Sequence, residues 1–134
     1  MSFPLYRQDL LQYTMAILVD LNGTIATPDG DPIQTTLDFL KTITEDVYVV
    51  SGSTELKRKH YEALLKRLGV SYKILILSQE DQQSDLQYKL RVAQSIPNLT
   101  LAIDNNKNVI KLYRDAGITA IYPQDIAQEL LPPE

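Results

Sequence analysis

Five short apolar runs separated by amphipathic segments leave this chain few ways to fold. The runs are Ala16–Asp20 (AILVD), Val47–Ser51 (VYVVS), Tyr72–Leu77 (YKILIL), Leu99–Asp104 (LTLAID) and Thr119–Tyr122 (TAIY). Each is nearly continuous in apolar residues, as a strand covered on both faces must be. Between them an i, i+3, i+4, i+7 stripe recurs: Thr36, Phe39, Leu40, Ile43; then Tyr61, Leu64, Leu65, Leu68; then Val109, Leu112, Tyr113, Ala116. That period belongs to helices, and strands alternating with helices predict a parallel sheet crossed on both sides. The expected architecture is a three-layer, doubly wound, Rossmann-like α/β sandwich of about five strands. Gly69 and Gly117 follow the second and third stripes, where a left-handed cap residue is wanted. Ile126, Ala127, Leu130 and Leu131 predict a last helix stopped by Pro132 and Pro133.

The chain has 134 residues, and residues 15–134 read as one domain. Residues 1–14 (MSFPLYRQDLLQYT) precede a second Met and stay open between an extra helix, a loose arm and an upstream start of translation. Zero Cys excludes disulfides, thiolate metal sites and cysteine nucleophiles, and the single His60 excludes multi-histidine metal sites. Chemistry must therefore rest on oxygen ligands, hydroxyls, Lys and Arg. A net charge of -4 argues against a globally basic nucleic-acid coat, although an average can hide a local patch. With no secretory leader and no apolar run of membrane-spanning length, the chain is expected to be cytoplasmic and free of the membrane; its oligomeric state stays open.

Asp20, Ser51 and Asp104 each stand at the carboxyl end of a predicted strand. Doubly wound sheets bind ligands at that edge. Any one of the three is readily explained as a turn or cap residue; three in one small sheet are harder to dismiss. A predicted helix, Ser84–Ile96, carries the stripe Leu86, Leu90, Ala93, and the same lattice turns Lys89 inward. A buried ammonium is costly without a partner, so Lys89 is expected to snorkel to the sheet edge or meet an anion there. A solvated lysine at the stripe margin is the bland alternative.

Asp20-Leu21-Asn22-Gly23-Thr24, Val49-Val50-Ser51-Gly52, Lys89 on a helix and Ala102-Ile103-Asp104-Asn105-Asn106 resemble, in order, the four motifs of the haloacid dehalogenase superfamily. The resemblance implies a phosphatase in which Asp20 is the nucleophile and forms an aspartyl-phosphate. It implies Mg²⁺ held by Asp20, Asp104 and the backbone carbonyl of Asn22, with Asn105 beside them. Ser51, Lys89 and the amides around Gly23 would hold the transferring oxygens, with Thr24 fixing the loop and Gly52 lining the substrate side.

Two departures matter. Family phosphatases usually carry a second Asp where this chain has Asn22, and an amide cannot do general acid–base work. Asn105 stands where many members have another acid, which makes the metal motif less negative. A naturally weakened site, a substrate-trapping substitution and a precursor that deamidates at Asn22-Gly23 all account for the first.

The segments between motifs leave no room for a cap domain, and an open cleft suits phosphates at the end of a large molecule. Glu55-Leu56-Lys57-Arg58-Lys59-His60 should start a helix at the catalytic edge. Cations there oppose the helix dipole, so Lys57, Arg58 and Lys59 read as a phosphate-contacting rim, or else as a solvated face laced with Glu55 and Glu62. Motif spacing, the missing cap and Val109, Tyr113, Arg114 and Gly117 after the fourth strand look most like the 3′-phosphatase domain of phage polynucleotide kinases, although no Arg follows Ser51-Gly52 and no kinase domain is present. The expected function is thus a capless, Mg²⁺-dependent phosphohydrolase favouring terminal phosphates of nucleic acid or nucleotides, with turnover impaired by Asn22. A second reading is a non-catalytic phosphate or nucleic-acid binding module on the same fold. A third, a phospho-acceptor domain like bacterial receivers, fits less well, because there the phosphorylated Asp ends a middle strand and here Asp20 ends the first.

Overall fold

The computed structural model describes residues 15–79 and 86–130. The N-terminal segment 1–14, the predicted helix start at Ser84 and Asp85, and the end at Leu131, Pro132 and Pro133 lie outside the described residues. Strands β1 (Ala16–Asp20), β2 (Asp46–Thr54), β3 (Ile74–Ser78), β4 (Leu99–Ile103) and β5 (Ala120–Ile121) form one parallel sheet in the order β3-β2-β1-β4-β5. Helices α1 (Gln34–Leu40), α2 (Arg58–Arg67), α3 (Leu86–Ser95), α4 (Lys107–Asp115) and α5 (Ile126–Glu129) connect and cover it. The result is the expected Rossmann-like α/β sandwich.

The alternation of side chains along each strand divides the core in two. Ile17 and Val19 of β1, with Val47 and Val49 of β2, pack against Leu37 and Phe39 of α1, Leu64 and Leu65 of α2 and Ile126 of α5. Ala16 and Leu18, with Tyr48 and Val50, pack against Val92 and Ala93 of α3 and Val109, Ile110 and Tyr113 of α4. The chain winds outward from β1 through β2 to β3, then crosses back past β1 to β4. That reversal puts the topological switch point between β1 and β4, where diverging loops leave a crevice at the carboxyl edge.

Gly69 and Gly117 have φ of +74° and +82°, and a Cβ at either would meet open space. The backbone conformation alone selects glycine there, as the sequence reading expects.

Three elements differ from expectation. β2 does not stop at Ser51 but runs to Thr54, with a register shift before Thr54 pairs with Ser78. Ser51, Gly52 and Ser53 are therefore buried strand residues rather than the start of a turn. Lys57 closes a 3-10 turn (Glu55–Lys57), and α2 begins only at Arg58. The first stripe also overreaches: α1 ends at Leu40, and Ile43 packs on the core from beyond the helix.

Leu65 is fully buried, whereas Leu56 is 95% exposed in the 3-10 turn. Leu65→Ala is expected to cost about 2–5 kcal/mol in urea unfolding, and Leu56→Ala to stay within about 0.5 kcal/mol of the parent.

Candidate active site

Even-numbered residues of β1 face α3 and α4, and this parity carries past the strand ends. Asp20 and Asp104 both emerge at the carboxyl edge toward α3, whose first turn brings Lys89 between them. Lys89 Nζ donates to Asp20 Oδ1 at 2.7 Å and to Asp104 Oδ2 at 2.8 Å. Thr24, itself buried, donates its hydroxyl to Asp20 Oδ2 at 3.1 Å, and the Asn106 amide donates to Asp104 Oδ1 at 2.9 Å. Thr24 thus orients Asp20 instead of facing outward to substrate.

Two buried carboxylates share one ammonium, which leaves surplus negative charge. Burial, and then the nearby Asp104 carboxylate, push the Asp20 pKa up to about 7, against the pull of Lys89 and Thr24. Burial works against the charged form of Lys89, but the two carboxylates outweigh it and raise its pKa. Tyr113, buried nearby, has its phenol pushed up by desolvation and by Asp104 and Asp20.

A second polar group sits on the other face. Asn22 Nδ2 donates to Tyr61 OH at 3.2 Å and reaches Ser51 Oγ at 3.4 Å. Tyr61 OH shares a 2.9 Å hydrogen bond with Ser53 Oγ, and the Ser53 amide donates to Ser51 Oγ at 3.2 Å. Tyr61 and Ser53 escape sequence reading. The Tyr61 ring continues an apolar helical stripe, and only the β2 extension brings Ser53 beneath it.

The loop joining the halves is tightly wound. The Leu21 carbonyl accepts from the amides of Ile25 at 3.0 Å and Ala26 at 3.2 Å, and the Gly23 amide donates to Ala26 O at 2.7 Å. Gly23 has φ +84°, and a Cβ there would collide with the side-chain amide of Asn105. Asn105 is exposed and lies against Gly23. Deamidation requires the Gly23 nitrogen to attack the Asn22 side chain, and that nitrogen is held by Ala26, so the folded loop opposes it.

The basic rim is only partly assembled. Lys57 faces a groove that begins at Asn22. Arg58 instead turns to Glu55, at 2.7 and 2.9 Å, and to the carbonyl of Leu75 at 2.9 Å, tying the 3-10 turn to β3. Lys59 is exposed and does not line that groove.

Among the described residues no three His, Cys, Asp or Glu side chains converge on a metal position. The acids at the site are Asp20 and Asp104, with the Asn22 carbonyl and Asn105 on the adjoining loops as further oxygen donors. This set suits Mg²⁺, a hard ion that is usually held by one or two carboxylates and keeps several waters. Each carboxylate retains lone pairs beyond those given to Lys89, Thr24 and Asn106. The surplus negative charge favours a cation, although Lys89 already occupies part of the space between the two acids.

Fold and site together define a doubly wound α/β domain with a carboxylate–lysine–carboxylate centre at its switch point. No family model matches the chain, and no curated protein matches it. Among solved structures, a chain of the Pnkp1/Rnl/Hen1 complex is similar in fold, with a TM-score of 0.69 and 17% identity. The likeness covers 81% of this chain and 45% of that one, so this chain spans less than half of that protein's length. Among the described residues no helix is long and apolar enough to cross a membrane.

An acid whose pKa is raised on folding contributes stability below its unfolded value, and that stability is lost as pH rises through the folded value. For Asp20 the window runs from 3.8 to about 7, and the loss is on the order of 3–5 kcal/mol. In a chelator, thermal scans of the parent are expected to show falling stability across this window. Asp20→Asn should flatten the fall and raise the melting temperature at pH 8.

Proposed function

We propose that the chain is a small, capless, Mg²⁺-dependent phosphohydrolase that works through an aspartyl-phosphate on Asp20 and favours terminal phosphates of nucleic acid or nucleotides. The observation that carries the reading is the placement of Asp20: buried at the end of the central strand, hydrogen-bonded to Lys89 and Thr24, and faced by Asp104. Each oxygen of this carboxylate has a positioned donor, so its direction is set before substrate arrives.

In the first half-reaction an Asp20 oxygen attacks phosphorus in line. The ester P–O bond breaks, and the leaving alkoxide takes a proton from solvent water. Lys89 would neutralise the transferring oxygens, and the Ser51 hydroxyl on the opposite side would hold them; the Gly23, Ile25 and Ala26 amides, expected from sequence to share that task, are spent on hydrogen bonds inside the loop. In the second half-reaction water attacks phosphorus, releasing phosphate and restoring Asp20. Bound Mg²⁺ would offset the repulsion between two carboxylates and a phosphate dianion and would favour the ionised form of Asp20.

Proton transfer is where the chain is weak. Asn22 occupies the place of the family's second Asp, and its amide can only donate to Ser51 and Tyr61. It offers no proton to the leaving group and no base to water. The same surroundings suit a carboxylate, because the hydroxyls of Ser51 and Tyr61 can turn to donate. The unreactive amide is also the feature favouring the second reading, a phosphate or nucleic-acid binding module that has given up turnover. The solved Pnkp1/Rnl/Hen1 complex lends support through fold likeness.

With a 3′-phosphorylated oligonucleotide and an aryl phosphate as substrates, Asn22→Asp is expected to raise Mg²⁺-dependent phosphate release by about 10²–10⁴-fold. Asp20→Asn placed in that variant should abolish it. No Asp20-dependent release from either substrate would leave the binding-module reading.

A further inference from the structure

The groove that Asn22 helps to line is left unused by the reaction itself. It has a volume of about 630 Å³ and runs between the loop after β1 and the face of α2, lined by Lys57, His60, Tyr61, Arg67 and Asp29 among others. That volume falls within the range of about 300–1,000 Å³ typical of small-ligand sites. Asn22, two residues after Asp20, is part of the lining, so a group attached to a phosphate at Asp20 would have this groove within reach.

The groove is built, not incidental. Arg67 Nη2 reaches across to the carbonyl of Gly30 at 3.3 Å and ties the helix wall to the loop wall. The loop wall is a tight turn: the Thr27 amide donates to Asp31 O at 2.9 Å, the Gly30 amide to Thr27 O at 2.9 Å, and the Asp31 amide to Thr27 Oγ1 at 3.1 Å. Helical spacing explains the chemistry of the opposite wall. Lys57, His60, Tyr61 and Arg67 share one face of α2 and its leading turn, while Lys59 and Lys66 do not line the groove.

Resting on the phosphohydrolase reading, we infer that this groove is a nucleotide subsite, which holds the nucleoside unit bearing the terminal phosphate and the backbone phosphate that follows it. Two cations in the lining, Lys57 and Arg67, suit a phosphodiester better than a neutral leaving group. The exposed imidazole of His60, on the same wall, offers a flat ring for a base to stack on. Asp29 is the one acid in the lining and disfavours a second phosphate close to the loop.

The test uses the full chain and a fluorescent single-stranded oligodeoxynucleotide ending in a 3′-phosphate, with binding read by anisotropy over a salt series. Lys57→Ala and His60→Ala are each expected to weaken binding about tenfold. Lys57→Ala should also flatten the slope of log K against log salt by about 0.7, the loss of one single-strand phosphate contact. Lys66→Ala, on the same helix but off the groove, serves as the control and should bind as the parent. Circular dichroism of each variant separates a lost contact from a lost fold. Parental binding by the two groove variants, or an equal loss in Lys66→Ala, would overturn the subsite, as would tighter groove-dependent binding of a phosphopeptide. Asp20-dependent hydrolysis of aryl phosphate alongside such a result would sink the subsite alone. Groove-dependent oligonucleotide binding without hydrolysis in Asn22→Asp would sink the hydrolase reading and leave the subsite.

Discussion

Two buried carboxylates and one partly buried ammonium make a centre whose charges do not balance. Lys89 bridges Asp20 and Asp104 at hydrogen-bonding distance, yet burial and mutual repulsion still push the Asp20 pKa up to about 7. Such a cluster is a poor source of stability, because desolvating the charges can exceed their attraction. Apolar residues of similar volume would hold the sheet edge at least as well. On the proposed reading the cluster is kept because it accepts a further cation and a phosphate together.

The geometry follows from two elementary periodicities. Side chains alternate along a strand, so Asp20 and Asp104 turn to the same side as Leu18 and Ala102 and meet Lys89 from α3. Ser51 and Ser53 turn to the side of Val47 and Val49 and meet Tyr61 from α2. The β1 loop spans the gap, carrying Thr24 to the acidic half and Asn22 to the hydroxyl half. The crevice receives a carboxylate centre on one side and a hydroxyl and amide network on the other.

Much of this is readable in the residues. Apolar runs and helical stripes locate all five strands and the helices between them, since both patterns report burial, which dominates folding. The inward turn of Lys89 is legible as well, because its lattice position contradicts its polarity. Less legible is what depends on contacts between distant segments. Ser51 reads as a strand ending, but pairing of Thr54 with Ser78 extends β2 beyond it. Arg58 reads as part of a basic rim, but Glu55 and the Leu75 carbonyl draw it away. Tyr61 reads as core, and its ring is; only its hydroxyl belongs to the site.

Asn22 gives the account its sharpest consequence. If Asp20 attacks phosphorus and no side chain activates water efficiently, the covalent intermediate should outlive the attack that forms it. Intact-protein and peptide mass spectrometry after acid quenching reads this directly, using the unaltered chain mixed with a reactive aryl phosphate and Mg²⁺. The account predicts a single phosphoryl adduct on the peptide containing Asp20, dependent on Mg²⁺ and absent from Asp20→Asn. An adduct on another residue, or none while phosphate is still released, would contradict it.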